Sequence, residues 1–238
     1  MDTEPTAYES TWFDMLAALR DCTEVELSIE QEPDSDQDVE RIYRDLADRD
    51  GIVFEPALID RQLRFSRLTA EWQVPNPEVA FDPLLTGEFS LSTLDQAIDA
   101  GGLLAVLDVP RGEHRRYSQF RCFDDTPWSG VGYMAMVRIE PGVTDPEVWF
   151  KASTMGCYRL DIGYAEYLDT LRITKGATGW QLLFTDISMS EGGAFAGTGR
   201  RMEDMLEVLP TLFPDHDYQP LRERLAERRR DYRLRCPV

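Results

Sequence analysis

Residues 156–176, GCYRLDIGYAEYLDTLRITKG, change their period midway. Tyr158, Leu160 and Ile162 alternate with Arg159 and Asp161, the pattern of a half-buried strand. Beyond Gly163 the apolar positions are Tyr164, Tyr167, Leu168 and Leu171. Their i, i+3, i+4, i+7 spacing predicts a helix with one buried stripe. Gly176 is placed to end it as a left-handed cap. Burying those side chains offers roughly 6–12 kcal/mol gross, before chain entropy is subtracted. A strand running straight into a helix ties a sheet to its covering layer, a structural signal that carries no chemistry of its own.

Upstream, residues 133–139 (YMAMVRI) are apolar on both faces, as a central strand would be. Residues 103–109, 117–123 and 148–152 also read as strands. They are punctuated by Asp124-Asp125, Pro127, Gly130 and Pro141-Gly142, as hairpin turns should be. Gly87 to Leu91 reads as a further short strand, and Ser92 as the cap of a helix through Ala100 with Asp95 in a capping box. Before these, Trp12, Phe13, Leu16 and Leu19 predict a helix over 11–19, and Val25, Leu27 and Ile29 an edge strand. Asp38 caps a helix carrying Val39, Ile42, Tyr43 and Leu46, with Gly51 beyond its end. Pro56 opens another, carrying Leu58, Ile59, Leu63 and Phe65 to about Leu68, and Trp72 with the proline-rich VPNPEVAFDP reads as a long surface connection.

Downstream, GWQLLFTDIS fits either a helix or a strand. Residues 189–199, MSEGGAFAGTG, read as a flexible loop. Met202, Met205, Leu206 and Leu209 give a helix ended by Pro210, and Pro220 opens a last one. The organisation expected is an acidic helix and loop over 1–37, a core over 38–188, and a glycine-rich loop with a helical extension over 189–238, all one structural unit. The fold class expected is α+β, with an antiparallel-rich sheet flanked by helices.

The 238 residues carry 44 acidic against 25 basic side chains, a net charge of -19. Residues 1–50 alone hold 16 acids and 4 arginines. Such a field disfavours direct contact with nucleic acid or an anionic membrane; it fits either a plain soluble acidic protein or one whose acidic part faces a basic protein partner. No apolar run is long enough to span a membrane, and MDTEPTAYES has no signal-peptide pattern. Four scattered cysteines without a CxxC pair read as reduced thiols in the cytoplasm.

The sequence offers little chemistry. His114 and His216 are the two histidines, and neither has a zinc-ligand companion at regular spacing. No serine sits in GxSxG, and Cys157 reads as a packed thiol. No cofactor or metal is expected. SEGGAFAGTGR with Arg200 and Arg201 could cradle a phosphate on a helix N-terminus, but it matches no phosphate-loop pattern and reads better as a linker. Asp124, Asp125 and Asp186 could gather as a carboxylate cluster, although adjacent aspartates in such a turn more often serve the turn. Trp128 stands in a polar turn, DDTPWSG, where a large ring either packs back on the protein or meets a partner. The candidate contact residues are therefore Asp34, Asp36, Asp38, Asp124, Asp125 and Trp128.

From about Asp38 to Asp186 the order of elements resembles the SUKH superfamily, the SMI1/KNR4-like proteins. The carriers are FEPALIDRQLRFSRL, the strand and helix GEFSLSTLDQAI, the strands SQFRCFDD, GYMAMVRI and EVWFKA, and the closing YAEYLDTL. An Asn-Gly-Gly after the first long helix is missing, with TAEWQVPNP in its place, and the tail beyond 188 is extra. The resemblance implies a non-enzymatic immunity protein that binds and neutralises a polymorphic toxin, many of which are nucleases with basic clefts. Other members of the family are regulatory interaction proteins, so a regulatory interaction module is the alternative. A phosphate- or nucleotide-handling enzyme using the glycine loop and Asp186 is the second alternative.

Overall fold

The structure, a computed structural model, describes residues 4–31, 38–61, 63–64, 67–79, 81–103, 109, 111–152 and 155–230. Seven strands lie among them: β1 (Glu26–Gln31), β2 (Arg67–Val74), β3 (Leu85–Ser92), β4 (Phe120–Asp125), β5 (Tyr133–Arg138), β6 (Val148–Ala152) and β7 (Cys157–Arg159). They form one sheet in chain order, each antiparallel to the next. The helices are α1 (Ala7–Asp21), α2 (Val39–Asp50), α3 (Pro56–Ile59), α4 (Leu94–Asp99), α5 (His114–Tyr117), α6 (Tyr164–Thr174), α7 (Ala196–Leu212) and α8 (Gln219–Arg229). The chain is thus α+β, an antiparallel sheet flanked by helices.

Alternation divides the sheet into two faces. Leu68, Ala70, Trp72 and Val74 of β2, Phe89 and Leu91 of β3, and Val148 and Phe150 of β6 all enter the main core. That core also takes Trp12 and Leu16 of α1, Tyr43 of α2, and Met205 and Leu209 of α7, so both ends of the chain share it. The opposite face carries a smaller cluster of Leu103, Val109, Tyr117, Phe120 and Met136.

The period change at 156–176 is real. Tyr164, Tyr167, Leu168 and Leu171 are buried on α6. Its left-handed end comes one residue early, at Lys175 (φ 56°), and continues through Gly176 (φ 71°). Leu168 has no exposed surface. Leu168→Ala should cost at least about 2 kcal/mol, because the packed stripe cannot close around the lost atoms. A shift in urea midpoint worth less than half a kcal/mol would show that the stripe is not packed in this way.

Several expectations are corrected. α1 starts before residue 11, because Thr6 and Glu9 form a capping box: Thr6 Oγ1 accepts from the Glu9 N–H at 3.1 Å and the Thr6 N–H donates to Glu9 Oε2 at 2.8 Å. The helix at Pro56 ends at Ile59, and RLTAEWQV, expected as helix end and surface loop, is β2. Phe65 and residues 104–108, expected in a helix and a strand, lie outside the described residues. Tyr117 closes α5, so β4 begins only at Phe120. Thr93 caps α4 in place of Ser92, and Gln96, not Asp95, reaches back to the cap backbone at 3.4 Å. Trp180–Phe184 is a 3-10 helix, neither of the two alternatives.

The loop expected over 189–199 is half taken by structure. Met189 is buried with its N–H on Arg228 O at 2.8 Å, and residues 196–199 are the first turn of α7. Pro210 does not end α7, which runs on to Leu212. A helix-interior proline leaves the carbonyl four residues back without its donor. Here the Arg222 guanidinium, from α8, donates to that Leu206 carbonyl at 2.8 Å.

Candidate functional site

Because Leu68, Ala70, Trp72 and Val74 turn inward, Arg67, Thr69, Glu71 and Gln73 of β2 face the other way. The register sets Ser90 opposite Thr69 and Glu88 opposite Glu71. Two carboxylates therefore stand directly across a strand pair, an arrangement that costs stability. Burial raises the Glu71 pKa, and the facing Glu88 raises it further. Glu88 is itself buried and accepts two backbone donors, the N–H of Trp128 at 2.7 Å and of Ser129 at 2.9 Å. Those bonds fold the turn after β4 onto this face and leave Trp128 42% exposed beside it.

Asp125 lies on the same face. Burial raises its pKa most, Glu88 adds to that, and Arg67 and the Ser90 side chain oppose it. Its Oδ1 is buried without a hydrogen-bond partner among the described residues. Glu71, Asp125 and Trp128, with Arg67 as the nearby cation, make a compact acidic patch with an aromatic edge, and the buried Glu88 lies beneath it.

Asp124 is not part of it. The β4–β5 register shifts between Cys122 and Asp124, and this bulge turns Phe123 and Asp124 alike toward α6. The Phe123 ring packs edge-on against Tyr164 and Tyr167. Asp124 Oδ1 accepts the Ser90 N–H at 3.0 Å and Oδ2 accepts the Tyr167 hydroxyl at 2.6 Å, while Gln181 donates to Tyr167 at 3.1 Å. Burial pushes its carboxyl up to about 7. The expectation that Asp124 contacts a partner is therefore withdrawn, for a buried, twice-bonded carboxyl presents nothing to the surface. Asp38 is exposed, and its carboxylate accepts the Arg41 N–H at 3.0 Å as the α2 cap. Asp34 and Asp36 lie outside the described residues.

No family model, curated protein or solved structure matches this chain. What the patch can do follows from its own geometry.

The remaining candidates do not assemble into a reacting centre. Asp124 and Asp125 face opposite sides of the sheet, and Asp186 lies in a different groove, beside β7. Arg201 shares a cleft with Asp82, Asp204 and Glu207, which opposes a bound phosphate. His114 Nε2 sits 2.8 Å from the Val109 carbonyl. His216 Nε2 lies 2.8 Å from the buried Lys175 amine, whose pKa burial and Arg172 lower to about 8. Burial raises the Cys157 thiol, the wrong direction for a nucleophile. Among the described residues no three His, Cys, Asp or Glu side chains are grouped to hold a metal ion.

Glu71 and Glu88 escaped the sequence reading. Their signal was present, as the polar positions alternating through RLTAEWQV and GEFSLS. It became legible only with the register that sets them opposite each other.

Proposed function

We propose that this chain is a non-enzymatic, immunity-type protein. It binds and neutralises a protein toxin with a basic surface, such as the cleft of a nuclease, through the patch at Glu71, Asp125 and Trp128, which the buried Glu88 underlies. The observation that carries this reading is the Glu71–Glu88 pair. Two facing carboxylates are a liability in the free protein, and a partner's cation beside the half-buried Glu71 would relieve it. Trp128, held over the same face by Glu88, supplies the large ring typical of an interface anchor. The resemblance to SUKH proteins supports the toxin as partner. The net charge of -19 supports fast, steered association with it. The same reading places the chain in the cytoplasm, and among the described residues no helix is long and apolar enough to cross a membrane.

The test uses a basic nuclease toxin encoded beside this chain's own gene. Coexpression should rescue cells from it. In stopped flow, association should slow as salt rises, and Glu71→Lys with Asp125→Lys should slow it about tenfold. Trp128→Ala should act mainly on dissociation. No rescue, or an association rate indifferent to both salt and charge reversal, would overturn the proposal.

A further inference from the structure

β7 is the last strand of the sheet, and among the described residues no strand pairs with its outer edge. The Leu160 N–H donates to Val148 O at 2.8 Å, and the Ala152 N–H donates to Gly156 O at 2.9 Å. Bonds alternate along an antiparallel ladder, so Tyr158 faces β6, whereas the backbone groups of Cys157 and Arg159 point away from it. Among the described residues nothing bonds to those outward N–H and C=O groups. Further along, the Asp161 N–H is taken by the Phe184 carbonyl at 2.8 Å, which closes one end of the edge.

Beside the free stretch runs a groove of about 930 Å³, bordered by Trp149, Cys157, Arg159, Thr185 and Asp186. That volume lies at the upper end of the roughly 300–1,000 Å³ found for ligand clefts. The cations at its wall are already engaged: Arg159 with Glu147 at 3.3 Å, and Arg228 with Asp161 at 2.9 Å. Asp186 and Asp145 have no ion-pair partner among the described residues, so the groove keeps an acidic excess. The two sides of the edge also differ. Cys157 packs with Trp149 in the smaller apolar cluster, whereas Tyr158, pointing the other way, feels the charge of Asp186.

We propose that the β7 edge accepts an added strand: an extended segment of a partner protein with apolar and basic residues in alternation. It pairs with the backbone of Cys157 and Arg159, laying its apolar residues toward Trp149 and its basic ones toward Asp186. A second copy of this chain fits less well, because each copy carries -19. The inference does not depend on the toxin reading or on the patch at Glu71.

The probe is an acetylated, amidated hexapeptide, Val-Lys repeated three times, added to the full chain. Hydrogen exchange at the Cys157 and Arg159 amides should slow by about tenfold or more, as it does when an exposed amide gains a partner. The same peptide N-methylated at alternate residues keeps its charge but cannot pair, and should give no protection. Arg159→Pro removes the outward donor at an edge where proline is tolerated, and should abolish the effect. Equal protection by the N-methylated peptide, or none by the parent, overturns the proposal whether or not the proline variant folds. Dimerisation of the free chain that Arg159→Pro abolishes would also overturn it, by making the occupant a second copy.

Discussion

Gly87→Ala is expected to destabilise the protein by about 3–5 kcal/mol, combining an overpacked core with a lost buried hydrogen bond. A Cβ at this position would lie 2.2 Å from Cε2 of Trp72 and 2.4 Å from its Cζ2 and Nε1. The indole crosses the sheet at the place where the side chain of residue 87 would stand, its cross-strand partner. It cannot retreat easily. Trp72 is 1% exposed, and its Nε1–H donates to the Lys175 carbonyl at 2.7 Å. Lys175 is held in turn. It lies in the left-handed region, and a Cβ on the next residue, Gly176, would come within 2.7 Å of Phe89 Cδ1. The Glu88 N–H donates to Gly176 O at 3.0 Å and the Thr178 N–H to Thr86 O at 2.8 Å, so β3 is stitched to the segment that follows α6.

Urea unfolding of Gly87→Ala reads this directly, and a loss under about 1 kcal/mol would show that the indole can move aside. The control is the same replacement in a Trp72→Val background. There its cost should fall by about 2 kcal/mol, since residues in contact couple over that range.

This junction also shows what the sequence could and could not reveal. The helix stripe Tyr164–Leu171 depends on local spacing, and it was readable without any partner. β6 was readable for the same reason, with bounds at Val148 and Ala152. β2 was not, although RLTAEWQV alternates well enough, because a proline-opened helix before it and a proline-rich loop after it suggested continuity with both. Its status as a strand is settled by Gly87 making room for Trp72, fifteen residues apart in sequence. Pro210 misled similarly, because the donor that replaces its missing N–H belongs to α8. For the site, Trp128 and Asp125 were legible as a polar turn with an unexpected ring. Asp124 was expected at a contact surface together with Asp125, since a bulge at Phe123 leaves no mark in a single chain's spacing.

That buried aspartate carries the second large effect. Asp124→Ala is expected to cost about 2–4 kcal/mol, because it leaves the Ser90 N–H and the Tyr167 hydroxyl without acceptors in a dry site. Asp124→Asn keeps an acceptor of nearly the same shape and should cost no more than about half as much at neutral pH. The two variants therefore separate lost hydrogen bonding from lost charge, and pH separates them further. Burial raises the carboxyl from 3.8 to about 7, so the folded protein holds this proton more tightly than the unfolded chain does. The stability that the protonated form contributes is fully present below pH 4 and is lost progressively as pH rises toward 7. Other carboxylates run the opposite way: Glu9, for instance, is held below its usual range by Arg64 despite the upward push of burial. Asp124 is therefore isolated as the difference between wild type and Asp124→Asn across the titration. Relative to the asparagine variant, wild type should lose a few kcal/mol between about pH 4 and 7 and then stay level, at about 1.4 kcal/mol per unit of pKa shift. Parallel curves for the two proteins would mean that Asp124 is already ionised at pH 4 and that its bonds to Ser90 and Tyr167 outweigh its burial.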